Sequence, residues 1–383
     1  MVAGEWSGRD GVAYRHDVVA AKPWSIHVAR IEWRRPDLRL RTTLAGQRVH
    51  GLNPLTEQVS ALAQTPGAGQ PVAALNGDFY IADPRNPYHG DPRGLHILDG
   101  ELVSAATDQA TFWIDRHGEP RATNIVSRLA VTWPDGSRLP LGLNEERRDI
   151  GVLYTPRMAA STGTRGGREY ILESTGEGPW LPLQAGQSYA ARIREIRDTG
   201  DSPIASNTLV LSLPAGLADD AGPADACVGS RLQLSTATIP DLAGVQAAIS
   251  GGYVLVRHGR KEPLQLPASH AYKHRSAGER HPRSAIGVGR DALFLVEVDG
   301  RQPLLSRGMT LDELADYLVT LGCDLAMSLD GGASSTFWMD GRVRNSPCNK
   351  HERPVANGIV VVRLPLPTPG PSPGALPSPG PSR

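Results

Sequence analysis

The segment around Asp330 constrains the fold of this chain more than any other part of the sequence. An apolar run, residues 325–329, ends at Asp330, and Gly331, Gly332 and Ala333 follow, with three hydroxyl residues after them: Ser334, Ser335 and Thr336. This order predicts a strand that stops at an acid and enters a glycine turn, whose exposed N–H groups form a concavity suited to an anion. Asp330 therefore either has chemistry to perform or caps the turn.

The composition limits the class of protein. In a chain of 383 residues, 40% hydrophobic and 21% charged content permits a sizeable core and excludes global disorder. The 40 Lys+Arg residues balance the 40 Asp+Glu residues, so no net charge draws the chain to nucleic acid or to a membrane surface. No apolar stretch approaches the length of a membrane span. We therefore expect no nucleic-acid partner and no membrane span, and the oligomeric state stays open.

The frequency of turn residues indicates the fold class. The 42 glycines and 32 prolines favour short strands and turns over long helices. Two helices are expected, one at residues 56–64 and one that begins with a capping box from Thr310 to Glu313 and ends before Gly322. Elsewhere, alternating segments and Asp-Gly turns at 99–100, 135–136 and 340–341 predict hairpins. We expect an α+β fold with a mixed or antiparallel sheet core, few helices and a strand-rich middle insertion at about 112–250.

The two ends of the chain carry predictions of their own. Residues 1–10 lack the basic-then-apolar pattern of a signal peptide, so the protein is either cytoplasmic or has lost its signal sequence. Of these two options we expect the second, an extracytoplasmic or secreted protein. A catalytic domain is expected over residues 1–363. Residues 364–383, rich in Pro, Gly and Ser, are expected to form a linker or an unstructured tail.

Four polar groups of residues lie at the ends of apolar strands and could carry chemistry. They are Asn76-Gly77-Asp78, Arg283-Ser284, the run from Asp330 to Thr336, and the pair Arg353 and Asn357. Each group has an ordinary alternative explanation. Asn-Gly-Asp is common in turns, and an arginine at a strand end is often a surface charge or half of an ion pair.

Together, the residues of these groups and their order along the chain resemble those of the phosphodiester glycosidase family. The resemblance is carried by residues 74–80 (ALNGDFY), 283–287 (RSAIG), 308–314 (GMTLDEL), 329–336 (LDGGASST) and the closing segment 353–360. These motifs flank most of residues 70–362. Two positions depart from the family pattern, because Asp78 stands where many relatives have glycine and Ala333 replaces a third glycine. The family includes bacterial proteins described as related to exopolysaccharide.

The resemblance implies a hydrolase that cleaves the glycosidic bond of a sugar-1-phosphodiester, with a phosphorylated glycan or sugar phosphodiester as its substrate. Asp330 is expected to be the principal carboxylate, as base or nucleophile, and Asp78 a second carboxylate or an orienting group. Arg283 and Arg353 are expected to hold the phosphate, because a guanidinium binds phosphate oxygens bidentately. The other expected binding residues are Asn76, Gly77, Gly331, Gly332, Ser334, Ser335, Thr336 and Asn357.

No cofactor and no metal ion are expected at this site. The four polar groups contain two carboxylates, Asp78 and Asp330, with no cysteine pair and no histidines at zinc spacing. The leaving group is a phosphate monoester with a second pKa of about 6, so it needs little help to depart. The pair Asp78 and Asp330 nevertheless leaves calcium or magnesium open as an oxygen-bound ion.

Two other functions remain open from the sequence alone. One is a non-catalytic module that binds carbohydrate or assists exopolysaccharide assembly and keeps the pocket without turnover. The other is a phosphodiesterase that cleaves the P–O bond on the other side of the phosphate. The products distinguish the three functions. The glycosidase gives free sugar and a phosphate monoester, the binding module gives no product, and the phosphodiesterase gives a sugar phosphate.

Overall fold

The computed structural model describes residues 4–220, 226–264 and 276–365, and strands dominate within them. Within the described residues the strands form three sheets, of eight, five and eleven strands. The expected α+β class is therefore corrected to a predominantly β fold, because helical periodicity recurs in short segments only. The few helices and the antiparallel sheets agree with the expectation. Residues 366–383 of the expected tail lie outside the described residues.

The eight-stranded sheet gathers strands from both ends of the described chain. Its members are β1 (Ser7–Arg9), β2 (Val12–Val19), β3 (Trp24–Ile31), β17 (Val254–Arg257), β18 (Arg260–Lys261), β19 (Arg283–Gly289), β20 (Leu293–Val298) and β21 (Cys323–Ser328). The spatial order is β1-β2-β3-β20-β19-β21-β17-β18, and every pairing is antiparallel. The predicted hairpin of β19 and β20 and the predicted strand that delivers Asp330 are both confirmed.

The five-stranded sheet brings together strands that are far apart in sequence. It contains β4 (Leu38–Leu44), β5 (Gln70–Asn76), β22 (Phe337–Met339), β23 (Arg342–Val343) and β24 (Asn357–Arg363), in the order β23-β22-β5-β24-β4. The β22–β23 hairpin turns on Asp340 and Gly341, which have φ angles of 50° and 85°. Positive φ at both positions is what a type I′ turn needs, so the predicted Asp-Gly hairpin is confirmed.

The eleven-stranded sheet is built from residues 96–250. Its strands are β6 (His96–Leu98), β7 (Glu101–Ser104), β8 (Thr107–Ile114), β9 (Pro120–Thr132), β10 (Arg138–Leu143), β11 (Gly151–Tyr154), β12 (Arg168–Ser174), β13 (Ser188–Arg197), β14 (Leu209–Leu213), β15 (Arg231–Ile239) and β16 (Ala247–Ser250). Their order is β10-β11-β14-β12-β13-β15-β9-β8-β16-β6-β7, with β10–β11 pairing in parallel. A separate core lies against this sheet, with Trp133 and Tyr170 in edge-to-face contact.

Two of the helices agree closely with their sequence signals. The described residues include α1 (Leu55–Ala63), α2 (Ala215–Asp220), which was not expected, and α3 (Leu311–Thr320), with 3-10 turns at Ala45–Gln47 and Gly332–Ser334. The Thr310 hydroxyl accepts from the Glu313 amide at 3.1 Å, and the Glu313 carboxylate accepts from the Thr310 amide at 3.1 Å, which confirms the capping box. No helix among residues 4–220, 226–264 and 276–365 has the length and apolarity that a bilayer crossing requires.

A shared core fixes the relative positions of the strand ends. Leu75 and Ile359 of the five-stranded sheet pack in one cluster with Ile286 and Met327 of the eight-stranded sheet and with Phe112 of the eleven-stranded sheet. Burial of this apolar surface stabilises the packing of the three sheets at about 25 cal/mol per Å². As a result, the end of β5, the start of β19, the end of β21 and the start of β24 meet in one place.

Candidate functional site

Asn76, at the end of β5, connects three of the four polar groups. Its Nδ2 donates to the carbonyl of Asp330 at 2.7 Å, and its Oδ1 accepts from the Ser284 hydroxyl at 2.7 Å and from the Thr336 amide at 3.1 Å. The side chain is fully buried, so these bonds have no competition from water. Asn76 therefore holds the turn after β21 in place, and the structure gives it a scaffold position rather than a free polar face.

The segment Gly77-Asp78 is fixed from the other side by Asn357. The Asp78 amide donates to Asn357 Oδ1 at 2.8 Å, and the Gly77 amide donates to the Asn357 carbonyl at 3.0 Å. A Cβ atom at Gly77 would lie 2.4 Å from both Asn357 Oδ1 and the Cδ1 atom of Ile249. Only glycine fits this position, because the backbone of the Asn-Gly-Asp turn is pressed against its neighbours on both sides.

Asp330 follows the end of β21 and lies beside two cationic side chains. Burial raises its pKa from the usual value to about 6, although the Ser334 hydroxyl, the charges of Arg353 and Arg301 and the Gly331 amide each lower it. Its own amide donates to the Gly77 carbonyl at 3.0 Å. Asp330 as a whole residue is partly exposed, whereas Asp78 is buried.

Asp78 is the second carboxylate of the site and is 1% exposed. Its Oδ1 accepts from the Phe79 amide at 2.7 Å and its Oδ2 accepts from the Gly94 amide at 2.8 Å. Burial raises the pKa of Asp78 to about 8, against these two hydrogen bonds, and the charge of Asp330 raises it further. The two carboxylates thus have different protonation states around neutral pH, which is a frequent property of catalytic acid pairs.

The charges of two guanidinium groups act on Asp330, and the sequence identified one of them, Arg353. The Arg353 guanidinium lies 5.0 Å above the centre of the Tyr80 ring and donates to the Ser334 hydroxyl at 3.4 Å. Arg301 was missed. Its Nη2 would be 3.0 Å from a Cβ atom at Gly332, and the side chain is exposed. Arg301 follows β20 as Asp299-Gly300-Arg301, so the signal of a polar group at a strand exit was present.

Arg283 lies in a different environment from the one expected. Its Nε donates to the Met309 carbonyl at 2.8 Å, and its Nη2 donates to the carbonyls of Ser276 at 2.6 Å and Glu279 at 2.8 Å. The side chain is buried, and burial lowers its pKa to about 10. Backbone carbonyls thus accept from Nε and Nη2 of Arg283, and no hydrogen bond or ion pair joins its guanidinium to Asp78 or Asp330 among the described residues.

The remaining predicted residues line the turn after β21. Gly331 and Gly332 carry the chain past Asp330, and Gly332 has a φ of 65°, a conformation that favours glycine. Ser334, Ser335 and Thr336 are buried, as is Asn357. Three of their polar atoms have no hydrogen-bond partner among the described residues: Ser335 Oγ, Thr336 Oγ1 and Asn357 Nδ2. Buried polar atoms in this position are candidates for contacts with a ligand.

Comparisons with known proteins agree with the resemblance found in the sequence. Residues 194–362 match the family model of phosphodiester glycosidases. An uncharacterized SPbeta prophage-derived protein, YomE, of Bacillus subtilis (strain 168) is 36% identical over 83 residues, which are 21% of this chain and 13% of that protein. The chain thus spans a small part of the curated relative that it matches.

Two solved structures share the fold at low sequence identity, and a third has a lower TM-score. A hypothetical protein from Synechocystis has 19% identity and a TM-score of 0.74, covering 92% of this chain and 62% of that one. A putative exported protein from Burkholderia pseudomallei K96243 has 23% identity and a TM-score of 0.66, covering 89% and 74%. The catalytic domain of zebrafish N-acetylglucosamine-1-phosphodiester alpha-N-acetylglucosaminidase, auto-inhibited by its pro-peptide, has 15% identity and a TM-score of 0.47, covering 94% and 86%.

Proposed function

We propose that this chain hydrolyses the glycosidic bond of a sugar-1-phosphodiester and releases free sugar and a phosphate monoester. Its residues 194–362 match the phosphodiester glycosidases. One observation carries this proposal. A carboxylate with a pKa raised to about 6, Asp330, lies beside the guanidinium groups of Arg301 and Arg353. One ionised carboxylate with two cations nearby suits a substrate in which an anomeric carbon is joined to an anion.

The bond to be broken explains why two cations are useful. When the bond between C1 and the phosphate oxygen breaks, the electron pair stays with the phosphate, whose charge changes from one negative charge to two. The sugar passes through an oxocarbenium-like state. Arg301 and Arg353 attract the second negative charge more strongly than the first, so they stabilise the transition state more than the bound substrate.

Asp330 acts on the sugar side of the bond. As a base, it takes a proton from the attacking water, whose oxygen forms the new bond to C1. As a nucleophile, it would bind C1 first and be released by water in a second step. Both routes require the ionised carboxylate, which Asp330 provides above a pH of about 6. The departing phosphate monoester has a second pKa of about 6 and needs little protonation.

Asp78, when neutral, adds no second negative charge to a site that binds an anionic substrate. Below a pH of about 8 it is neutral, so it does not repel the phosphodiester. Either its proton is available to the leaving oxygen or its position orients the substrate beside Asp330. The unpartnered atoms of Ser335, Thr336 and Asn357 supply hydroxyl and amide contacts for the sugar. We include these residues in the proposed site together with the backbone amides of Gly331 and Gly332.

The wider setting of the activity is also part of the proposal. The substrate class is a phosphorylated glycan or a small sugar phosphodiester. An extracytoplasmic location is supported by the name of the Burkholderia relative, which is described as exported. We further propose that residues 1–363 form the catalytic domain with a β-rich insertion at about 112–250.

The decisive assay uses nitrophenyl phosphodiesters of several sugars, linked through C1. Cleavage of the C1–O bond gives free sugar and nitrophenyl phosphate, which shows colour only after phosphatase is added. Cleavage of the P–O bond to nitrophenol gives colour at once, with a sugar phosphate. In oxygen-18 water, the proposed reaction places the label on C1 of the sugar. Label on phosphate, or no turnover with any sugar in the panel, would contradict the proposal.

A matched pair of variants assigns the activity to this site. Asp330→Asn is expected to fold and to lose turnover, whereas Asp149→Asn changes an exposed aspartate and is expected to keep full turnover. Equal activity in the two purified variants would show that the observed hydrolysis arises elsewhere or from a contaminant.

A further inference from the structure

Three potential metal ligands lie together in the interior of the eight-stranded sheet, outside the site described above. His27 is on β3, Glu297 is opposite it on β20, and Asp299 directly follows β20. One ligand atom from each lies within 4.8 Å of the other two. The side chains are almost completely buried, with exposures of 4%, 0% and 1%. Two acids and a histidine are rarely placed in a core without a partner of opposite charge.

Glu297 is the member of this cluster that lacks a partner. Neither of its carboxylate oxygens has a hydrogen bond among the described residues. The nearby Asn345 side chain lowers the pKa of Glu297 but forms no hydrogen bond of normal geometry with it, since its Nδ2 donates to the Ser335 carbonyl at 3.2 Å and its Oδ1 accepts from the Phe337 amide at 2.8 Å. Burial raises the pKa of Glu297 well above the usual value, and the charge of Asp299 adds to this. The carboxylate therefore needs a cation or a proton.

The surroundings of His27 prepare one ring nitrogen for a metal. Its Nδ1 lies 2.8 Å from the Tyr14 hydroxyl, so a proton on Nδ1 can be donated to the hydroxyl oxygen. Nε2 lies 3.2 Å from Asp299 Oδ2, the distance of a hydrogen bond in the tautomer that carries its proton on Nε2, and a metal ion would replace that proton. This separation is close to the edge of a tetrahedron of about 3.3 Å, given metal–ligand bonds of ~2.0–2.1 Å. A second group that fixes the tautomer is typical of metal-binding histidines.

Asp299 is held in place by groups that leave it able to bind a cation. Its Oδ2 accepts from the Ser25 hydroxyl at 2.7 Å, and its Oδ1 accepts from the Ser346 amide at 2.7 Å. The Ser25 hydroxyl is in turn 2.9 Å from Nε2 of His16, whose ring stacks on His27 at 4.4 Å. The cluster thus has an ordered outer layer of hydrogen bonds around its potential ligand atoms.

We propose that His27, Glu297 and Asp299 form a structural site for one divalent transition metal ion of the zinc or manganese class. A neutral imidazole and two carboxylates balance a charge of two, which removes the unpaired charge from the core. One nitrogen and two carboxylate ligands suit zinc or manganese better than calcium, which takes six to eight oxygens. Water or a neighbouring oxygen supplies the remaining coordination.

The location gives this ion a stabilising role rather than a catalytic one. Glu297 pairs across the strands with Ser284, whose hydroxyl donates to Asn76 in the candidate site. Asp299 binds the amide of Ser346, which follows Asn345 in the loop after β23. The ion would therefore connect β3 and β20 to the loop that supports residues 335–337.

The test is direct metal analysis of the full chain, with two glutamate variants compared. Purified protein is dialysed and its metal content measured, and is then stripped with a chelator and titrated with zinc and with manganese alone. We expect about one ion per chain in the native protein and in Glu177→Gln, which changes an exposed residue, and none in Glu297→Gln. Cobalt in place of zinc should give the visible absorption of a low-symmetry nitrogen–oxygen site.

Thermal unfolding of the stripped native protein provides a readout that needs no variant. Re-addition of zinc or manganese at about a hundredfold excess over its Kd is expected to raise Tm by ~3 °C. The proposal is overturned if the stripped protein binds neither ion stoichiometrically and its Tm does not change. It is equally overturned if Glu297→Gln retains the same ion, since the metal would then lie elsewhere. If the Glu297→Gln variant is as stable as the metal-free native protein and neither protein binds an ion, Glu297 carries a proton in place of a metal ion, and the proposal is overturned.

Discussion

The two carboxylates of the candidate site predict a bell-shaped dependence of hydrolysis on pH. Burial raises the pKa of Asp330 to about 6 and that of Asp78 to about 8. Asp330 must be ionised to act as base or nucleophile, so kcat/KM should rise as pH passes through the lower value. Ionised Asp78 would add a second negative charge beside an anionic substrate, so kcat/KM should fall as pH passes through the upper value.

The size of the effect follows from the two titrations. With pKa values near 6 and 8, about 80% of the protein at pH 7 has Asp330 ionised and Asp78 neutral, which is the active form. The fraction in this form falls roughly tenfold for each pH unit below 6 or above 8. We therefore expect kcat/KM at pH 5 and at pH 9 to be about a tenth of its maximum. Because the groups interact, the two limbs belong to the pair rather than to either residue alone.

The assay measures kcat/KM for a sugar phosphodiester between pH 4.5 and 9.5, with protein stability checked at each pH. Asp78→Asn should lose the upper limb and keep the lower one, even though its maximal turnover is reduced. Asp149→Asn, in an exposed loop, should keep both limbs. A native profile that is flat from pH 5 to 9, or that has a single limb near pH 4, would refute the idea that burial sets the protonation of this pair.

Four further results are expected. Asp330→Asn should keep its circular dichroism spectrum and lose at least ~10²-fold in kcat, the usual effect of removing a general base. Arg301→Lys and Arg353→Lys should each weaken inhibition by inorganic phosphate, whereas Arg283→Lys should leave this inhibition unchanged and lower Tm. Asn76→Ala should lower the free energy of unfolding, measured with urea, by at least about 2 kcal/mol, because it leaves several buried groups unpaired. After chelation, turnover should persist at temperatures where the protein stays folded, and complete loss with recovery by one added ion would contradict this.

Local signals in the sequence were sufficient for most of the elements. The capping box at Thr310 and Glu313 and the Asp-Gly turns depend on neighbouring residues, so a short window contains the information that defines them. The class was harder to predict, because two clear helices made α+β the natural expectation. The eleven strands between residues 96 and 250 decide the class, and their pairing is a long-range property that no local pattern encodes.

The arginines show where sequence reasoning about the site fails. Arg283 and Arg301 both adjoin apolar strands and both precede or follow turn residues, so their local patterns are equivalent. What separates them is the chain that folds over each one. The carbonyls of Ser276, Glu279 and Met309 surround the guanidinium of Arg283, while Arg301 stays exposed beside Gly332. Contacts from such distant positions cannot be inferred from a motif of four or five residues.

The position of Asn76 shows how sheet register creates the site. Asn76 is the last residue of β5 and lies opposite Gly358 of β24, so the antiparallel pairing places Asn357 beside the Asn-Gly-Asp turn. Because side chains alternate between the two faces of a strand, a slip of one residue would turn the Asn76 amide away from Ser284 and Asp330. The apolar residues of β5 would move to the wrong face in the same slip, at a large cost in buried area. The core therefore enforces the register, and the register in turn brings Asp78 and Asp330 together. A substitution in β5 that loosens this core should reduce activity and stability in parallel, whereas a substitution of Asp330 should reduce activity alone.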